Sequence, residues 1–257
     1  MYCVRRGNAT ITVHVRGTGP LVALVPSLGR AAADFDDLAG RLVGAGYTTA
    51  AIDPRGLDGE GVREPLTLHD LAEDTALAIK SLALGPAHLV GHALGNRISR
   101  CLAADHPDLV ASLTLLAAGG FVAPATAVVR SLLACFELDR DPAMRLRDVE
   151  FAFFAPNSDA SVWRDGWYPL VAMAQFNAAL STERATWWSA AASRVLVIQG
   201  LQDRVALPEN GRRYVADVAR HATLSEIDGA GHALLPERPA EIANTLIDFL
   251  NGGSRNG

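Results

Sequence analysis

Leu21-Val22-Ala23-Leu24-Val25 is apolar at every position. A strand with one wet face alternates, so an unbroken run of this length reads as a strand buried on both faces, the habit of a central parallel strand. Further stretches of strand length and character lie at Thr48–Ile52, at 87–91 and 113–116, and again at 194–198 and 222–227. Between them lie helix-length stretches: Asp34–Ala45, stopped by Gly46, then Leu68–Leu84, 94–105, 208–219 and 239–250. Thr10–Val15 alternates and predicts a half-exposed strand. Strands and helices taking turns through short loops predict an α/β fold, a mostly parallel central sheet with helices on both faces.

The rhythm breaks near Gly119 and returns at Arg194. We therefore expect a core of 1–120 and 191–257, with 121–190 inserted as a helical cap. The insertion holds all four tryptophans (Trp163, Trp167, Trp187 and Trp188) and also Phe121, Phe136, Phe151, Phe153, Phe154 and Phe176. An insertion after a sheet strand sits at the strand ends, where open α/β sheets bind ligands. The aromatics are expected to hold the cap to the core, with Trp163, Trp167 and Phe153 candidates for lining a pocket and binding an apolar or aromatic small molecule.

Composition narrows the class. The net charge is −5, and Lys80 is the lone lysine among 23 basic residues, so no basic field is available to attract nucleic acid. Cys3, Cys101 and Cys135 are far apart with no CxxC spacing, which predicts buried free thiols in a reducing, cytoplasmic setting. The first residues lack the apolar segment of a signal peptide, and no stretch of 18 apolar residues suggests a membrane span. Only Asn251–Gly257 reads as disordered. Neither a ligand cluster nor a Gly-rich phosphate loop is present, so no metal or organic cofactor is expected.

The chemistry centres on Gly91-His92-Ala93-Leu94-Gly95. An apolar run leads in and a helix-like stretch leads out, the setting of a G-x-S-x-G nucleophile elbow. The central position carries a methyl group where a hydroxyl is expected, and Ala93 cannot attack anything. His232 ends Gly229-Ala230-Gly231-His232, a loop where no packing need explains an imidazole; its role would be general base. Asp203, in Gln199-Gly200-Leu201-Gln202-Asp203, would hold the Nδ1–H and stabilise the imidazolium, although a turn role ahead of Pro208 is open. Arg30 is a candidate for the pocket wall and would favour a carboxylate if it points inward. Ser27 is a nearby hydroxyl, and His92 and Asn96 flank the turn. His92 is a candidate substrate contact as well as a packing residue beneath the turn. Asp53 and Arg55 read as a structural ion pair or turn.

Over essentially its full length the chain resembles the α/β-hydrolase family. The elbow, the acid loop and the histidine fall in the family's chain order, with Pro26-Ser27-Leu28-Gly29-Arg30 at the place of its oxyanion loop. The resemblance implies main-chain oxyanion donors at Leu94 and, aligned on Gly29, at Leu28. Many relatives have His-Gly where this chain has Pro26-Ser27. The elbow is also similar to that of proteins assigned as aminoacrylate hydrolases of bacterial pyrimidine breakdown, which carry alanine here. The segment Trp163-Arg164-Asp165-Gly166-Trp167-Tyr168 does not match them, so their substrate is not carried over.

Three readings of Ala93 stand: a natural alanine with water activated by His232 and Asp203, an engineered replacement of serine that traps substrate, and a non-catalytic ligand-binding protein. The expected activity is esterase-like hydrolysis of an ester, lactone, amide or carbamate in a small organic molecule. A lyase or cofactor-free oxygenase chemistry, with His232 taking a substrate proton, also needs no serine.

Overall fold

The computed structural model describes residues 1–257 except 58, 60, 61, 63, 191, 193, 219–221 and 253–257. Eight strands form one sheet: β1 (Tyr2–Arg6), β2 (Ala9–Arg16), β3 (Leu21–Val25), β4 (Thr48–Ile52), β5 (Ala87–His92), β6 (Val110–Leu116), β7 (Val195–Gly200) and β8 (Ala222–Ile227). Their order is β1-β2-β4-β3-β5-β6-β7-β8. β1–β2 and β2–β4 pair antiparallel and every later pair is parallel. The helices are α1 (Asp36–Gly44), α2 (Leu68–Leu82), α3 (Leu94–Asp105), α4 (Thr126–Ala134), α5 (Pro142–Phe153), α6 (Pro169–Ser181), α7 (Pro208–Val218), α8 (Leu234–Glu237) and α9 (Pro239–Gly252).

Residue period and core agree. Leu21, Ala23 and Val25 enter one apolar cluster while Val22 and Leu24 enter the other, as the two faces of a strand require. Val195 and Val197 divide from Leu196 and Ile198 in the same way. α2 and α3 cover the first face, and α1 and α9 the second. Thr67 opens α2 with a reciprocal capping box to Asp70, which satisfies two N–H groups that the helix leaves free.

Several expectations need correction. β1 was not foreseen, because of its five residues only Val4 is buried and the strand exists by pairing with β2. The predicted helix from Asp34 begins as a 3₁₀ turn over Ala32–Phe35, and α1 starts at Asp36. Cys101 and Cys135 are buried, and burial pushes both thiols up to about 12, but Cys3 is exposed. Asp53 and Arg55 do not pair with each other: Asp53 accepts from His14 and from Ala32 N–H, and Arg55 pairs twice with Asp74 at 2.6 Å. Trp187 and Trp188 belong to the sheet's own core, around Arg100 and Tyr214, and not to the aromatic cluster of Phe153, Phe154, Trp163 and Trp167. Residues 251–252 complete α9, and the rest of the tail expected to be disordered lies outside the described residues.

Between β6 and β7, α4, α5 and the segment leading to α6 build a third apolar cluster from Val128, Cys135, Val149, Phe153, Phe154, Trp163 and Trp167. Among the described residues, no helix is long and apolar enough to cross a membrane.

Candidate active site

The loops that follow β3, β5, β6, β7 and β8 meet at the carboxyl ends of the parallel strands, the usual ligand edge of an open α/β sheet. Ala93 is the hinge between β5 and α3. Its backbone sits at φ 50° and ψ −107°, a conformation that L residues rarely adopt. Its N–H donates to Leu116 O at 2.9 Å, which ties the turn to the neighbouring strand end. The flanking glycines are obligatory: a Cβ on Gly91 would lie 2.4 Å from Gly95 O, and one on Gly95 would lie 2.1 Å from Val25 O. A side chain at either place would drive the helix off the strand.

His232 and Asp203 are brought together. The imidazole Nδ1 is 2.9 Å from Asp203 Oδ2 and 3.1 Å from Oδ1, and both residues are buried. Asp203 cannot swing away, because Oδ1 also accepts from Val205 N–H and Ala206 N–H at 2.8 Å and Oδ2 from Gln199. The His232 loop is fastened from α8 and α5. Glu237 accepts from Gly231 N–H at 2.8 Å and from Ala155 N–H at 2.7 Å, and Ala233 N–H donates to Phe153 O.

A cavity of about 460 Å³ opens in front of the imidazole, lined by Ser27, Leu28, Arg30, Ala93, Leu94, Phe153, Trp163, Trp167 and His232 among others. The N–H groups of Leu28 and Leu94 have no acceptor among the described residues, and both residues line the cavity. The loop carrying Leu28 is held by α6: Gly29 N–H donates to buried Gln175 Oε1 at 2.8 Å, and Gly29 O accepts from Tyr168 N–H at 3.0 Å.

Two candidates land differently from expectation. His92 is fully buried behind His232 and does not line the cavity; its Nε2 bonds the His232 carbonyl at 2.8 Å. Arg30 does reach the cavity wall, but Asp34 already takes its guanidinium through two bonds of 2.6 and 2.8 Å. Trp163 and Trp167 lie 4.5 and 4.6 Å from it. Asn96 bonds Ala117 O and accepts from Arg100 Nη2, a local role. Sequence reasoning missed Gln175, Glu237 and Arg97. Gln175 carried a signal, one of two amides, with Asn177, inside the otherwise apolar stretch Leu170–Leu180, and Arg97 lies one helical turn after Ala93. Among the described residues no group of three or more His, Cys, Asp or Glu side chains is placed to hold a metal.

The alpha/beta hydrolase family model matches residues 22–245. The chain belongs to the alpha/beta hydrolase family. Among its relatives in the family is the provisionally named non-heme bromoperoxidase BpoC of Mycobacterium tuberculosis, 29% identical over 222 residues, 80% of this chain and 83% of that protein. BpoC's crystal structure superposes with a TM-score of 0.80 and 25% identity over 94% of this chain and 96% of that one. A 2-(acetamidomethylene)succinate hydrolase of Mesorhizobium japonicum is 40% identical over 114 residues, 43% of this chain and 40% of the relative. A provisionally named carbamate hydrolase, RutD of Variovorax paradoxus, is 38% identical over 110 residues, 40% of each chain. This alpha/beta hydrolase thus has relatives named as hydrolases.

Proposed function

We propose that the chain hydrolyses an ester, lactone, amide or carbamate bond of a small, largely apolar molecule, with Ala93 standing where the family carries its serine. In this reading His232 is the general base, Asp203 fixes its tautomer, and the N–H groups of Leu28 and Leu94 receive the oxyanion. The helices α4–α6 act as a cap over the site. The observation that carries the reading is the 2.9 Å pair of His232 Nδ1 with Asp203, facing a cavity that also holds the turn at Ala93 and two free main-chain donors.

Chemically, Nδ1–H on Asp203 leaves Nε2 of His232 as the acceptor toward the cavity. A water beside the Ala93 methyl gives its proton to Nε2 and its oxygen to the substrate carbonyl. The carbonyl oxygen becomes the anion held by the two N–H groups. Collapse expels the leaving group, which takes the proton back from the imidazolium. Serine hydrolases stripped of their nucleophile retain roughly 10³–10⁴ over water. That suits a labile acyl group, such as an enol ester, activated lactone or carbamate, better than a stable amide.

The test is hydrolysis of activated esters, lactones and carbamates by the chain, by His232→Ala and by Ala93→Ser. Turnover that His232→Ala abolishes and Ala93→Ser does not raise supports the water mechanism. Turnover and phosphonate labelling that appear only with Ala93→Ser indicate a serine hydrolase whose serine has been replaced. Turnover unchanged in His232→Ala overturns the assignment of the base. The methyl at Ala93 also favours a second reading, direct removal of a substrate C–H proton by His232. Deuterium from D₂O entering a substrate that is not hydrolysed would support it. The meeting of His232 and Asp203 supports a catalytic over a purely ligand-binding role.

A further inference from the structure

Arg97 lines the cavity one turn along α3 from Ala93, about 6 Å along the helix axis. Among the described residues nothing accepts a hydrogen bond from its guanidinium and no carboxylate pairs with it; it rests 5.7 Å from the ring of Trp187. Arg30, on the same cavity, is different: Asp34 neutralises it and Asp165 O takes a further N–H at 2.8 Å. Arg100, the next residue of the same helix face, is fully buried and likewise has no carboxylate partner, bonding only uncharged oxygens of Asn96 and Gly119 among the described residues. Burial holds both arginines below the usual guanidinium range, and the charge on Arg97 adds to the effect on Arg100, pushed down to about 9. A half-buried guanidinium without an anionic partner gains a charge-assisted hydrogen-bonded pair when an anion enters beside it.

The cavity is otherwise lined largely by apolar side chains, among them Phe121, Val122, Leu133, Phe176 and Leu180. The other arginine on its wall, Arg30, is paired with Asp34, which leaves Arg97 as the available cation among the described residues. A planar carboxylate meets the guanidinium fork with two parallel bonds, and an apolar body attached to it suits the surrounding side chains.

We propose that this cavity takes a carboxylic acid with an apolar body, its carboxylate on Arg97 and the scissile acyl group at the His232 end. The placement of the acyl group rests on the hydrolase reading above; the carboxylate site does not.

The experiment reads binding alone, by calorimetry, with 4-phenylbutyrate and its isosteric amide, 4-phenylbutyramide. The unaltered chain is expected to bind the acid about ten- to a hundredfold more tightly than the amide, the range of a charge-assisted hydrogen-bonded pair. Arg97→Gln should abolish that preference while leaving the amide's affinity unchanged, which also reports an intact cavity, and Arg97→Lys should restore part of it. Equal binding of acid and amide by the unaltered chain overturns the proposal, as does failure of the acid to bind. A preference that survives Arg97→Gln overturns it too. A chain that shows the preference but hydrolyses nothing, either unaltered or as Ala93→Ser, would sink the hydrolase reading and leave the carboxylate site standing.

Discussion

The imidazole of His92 donates from Nε2 to the main-chain carbonyl of His232 at 2.8 Å, with the two rings 5.4 Å apart. His92 therefore holds the backbone of the proposed base from behind. Burial first, and the neighbouring His232 second, push His92 down to about 3, so the ring is neutral in the working range. The unfolded chain takes up this proton near 6.5 and the folded chain does not, so stability falls as pH drops from about 6.5 toward 3. At full slope the loss is roughly 1.4 kcal/mol per pH unit. Thermal midpoints measured from about pH 7.5 to 4.5 should fall steadily in the unaltered chain and less steeply in His92→Gln. Parallel curves would show that His92 is not the titrating group.

Asp203→Asn should cut turnover by several orders of magnitude with little change in KM. The amide would present the wrong hydrogen-bonding partner to Nδ1 and favour the tautomer that cannot accept at Nε2. Val205 and Ala206 N–H would still find an oxygen, so the variant should fold, and circular dichroism should match the parent. Kinetics on one labile ester decide the matter; unchanged kcat would remove Asp203 from the mechanism.

Ala93→Gly should raise stability by about 1 kcal/mol, because glycine adopts φ 50°, ψ −107° without the Cβ penalty that alanine bears. Denaturant titration reads the change as a shift in midpoint. A loss of stability would mean that the methyl contributes more by packing than it costs in backbone strain.

Gln175→Leu should leave the buried Gly29 N–H without its 2.8 Å partner, a cost of about 1–3 kcal/mol, and loosen the loop that presents Leu28. Turnover should drop further than ground-state binding, because an oxyanion donor acts on the charge that develops in the transition state. Comparing kcat with the affinity of a non-hydrolysable amide separates the two. Equal losses in both would reduce Gln175 to a packing residue.

The central strands were legible as short runs rich in apolar and β-branched residues; β3 and β4 are buried at every position and fall where the runs Leu21–Val25 and Thr48–Ile52 lie. β1 was not, because a five-residue edge strand with one buried side chain is created by its partner. The helices of 121–190 could not be separated in advance. α6 is apolar on nearly all sides, with exposed Leu170, Met173 and Leu180 as well as buried Val171 and Ala172, so it carries no periodic signature. At the site, His232 and Asp203 were visible as unusual residue types in loops after strands. Arg30 was visible as a cation, but only the fold shows that Asp34, four residues on, turns back to neutralise it. Arg97 hid inside a helix, where an arginine ordinarily faces water.

Glu237 bridges Ala155, at the end of α5, and Gly231, beside His232. One carboxylate therefore rivets the roof of the chamber to the loop that carries the base. Swinging that edge open would drag the imidazole off Asp203, so a hinge there and a poised base exclude each other. Phe121, Leu133, Phe176 and Leu180 line the same chamber and are exposed to solvent. The bonds that hold Phe121 and Val122 run to Asn210 and not to the His232 loop, so that wall can shift and leave the proton relay undisturbed.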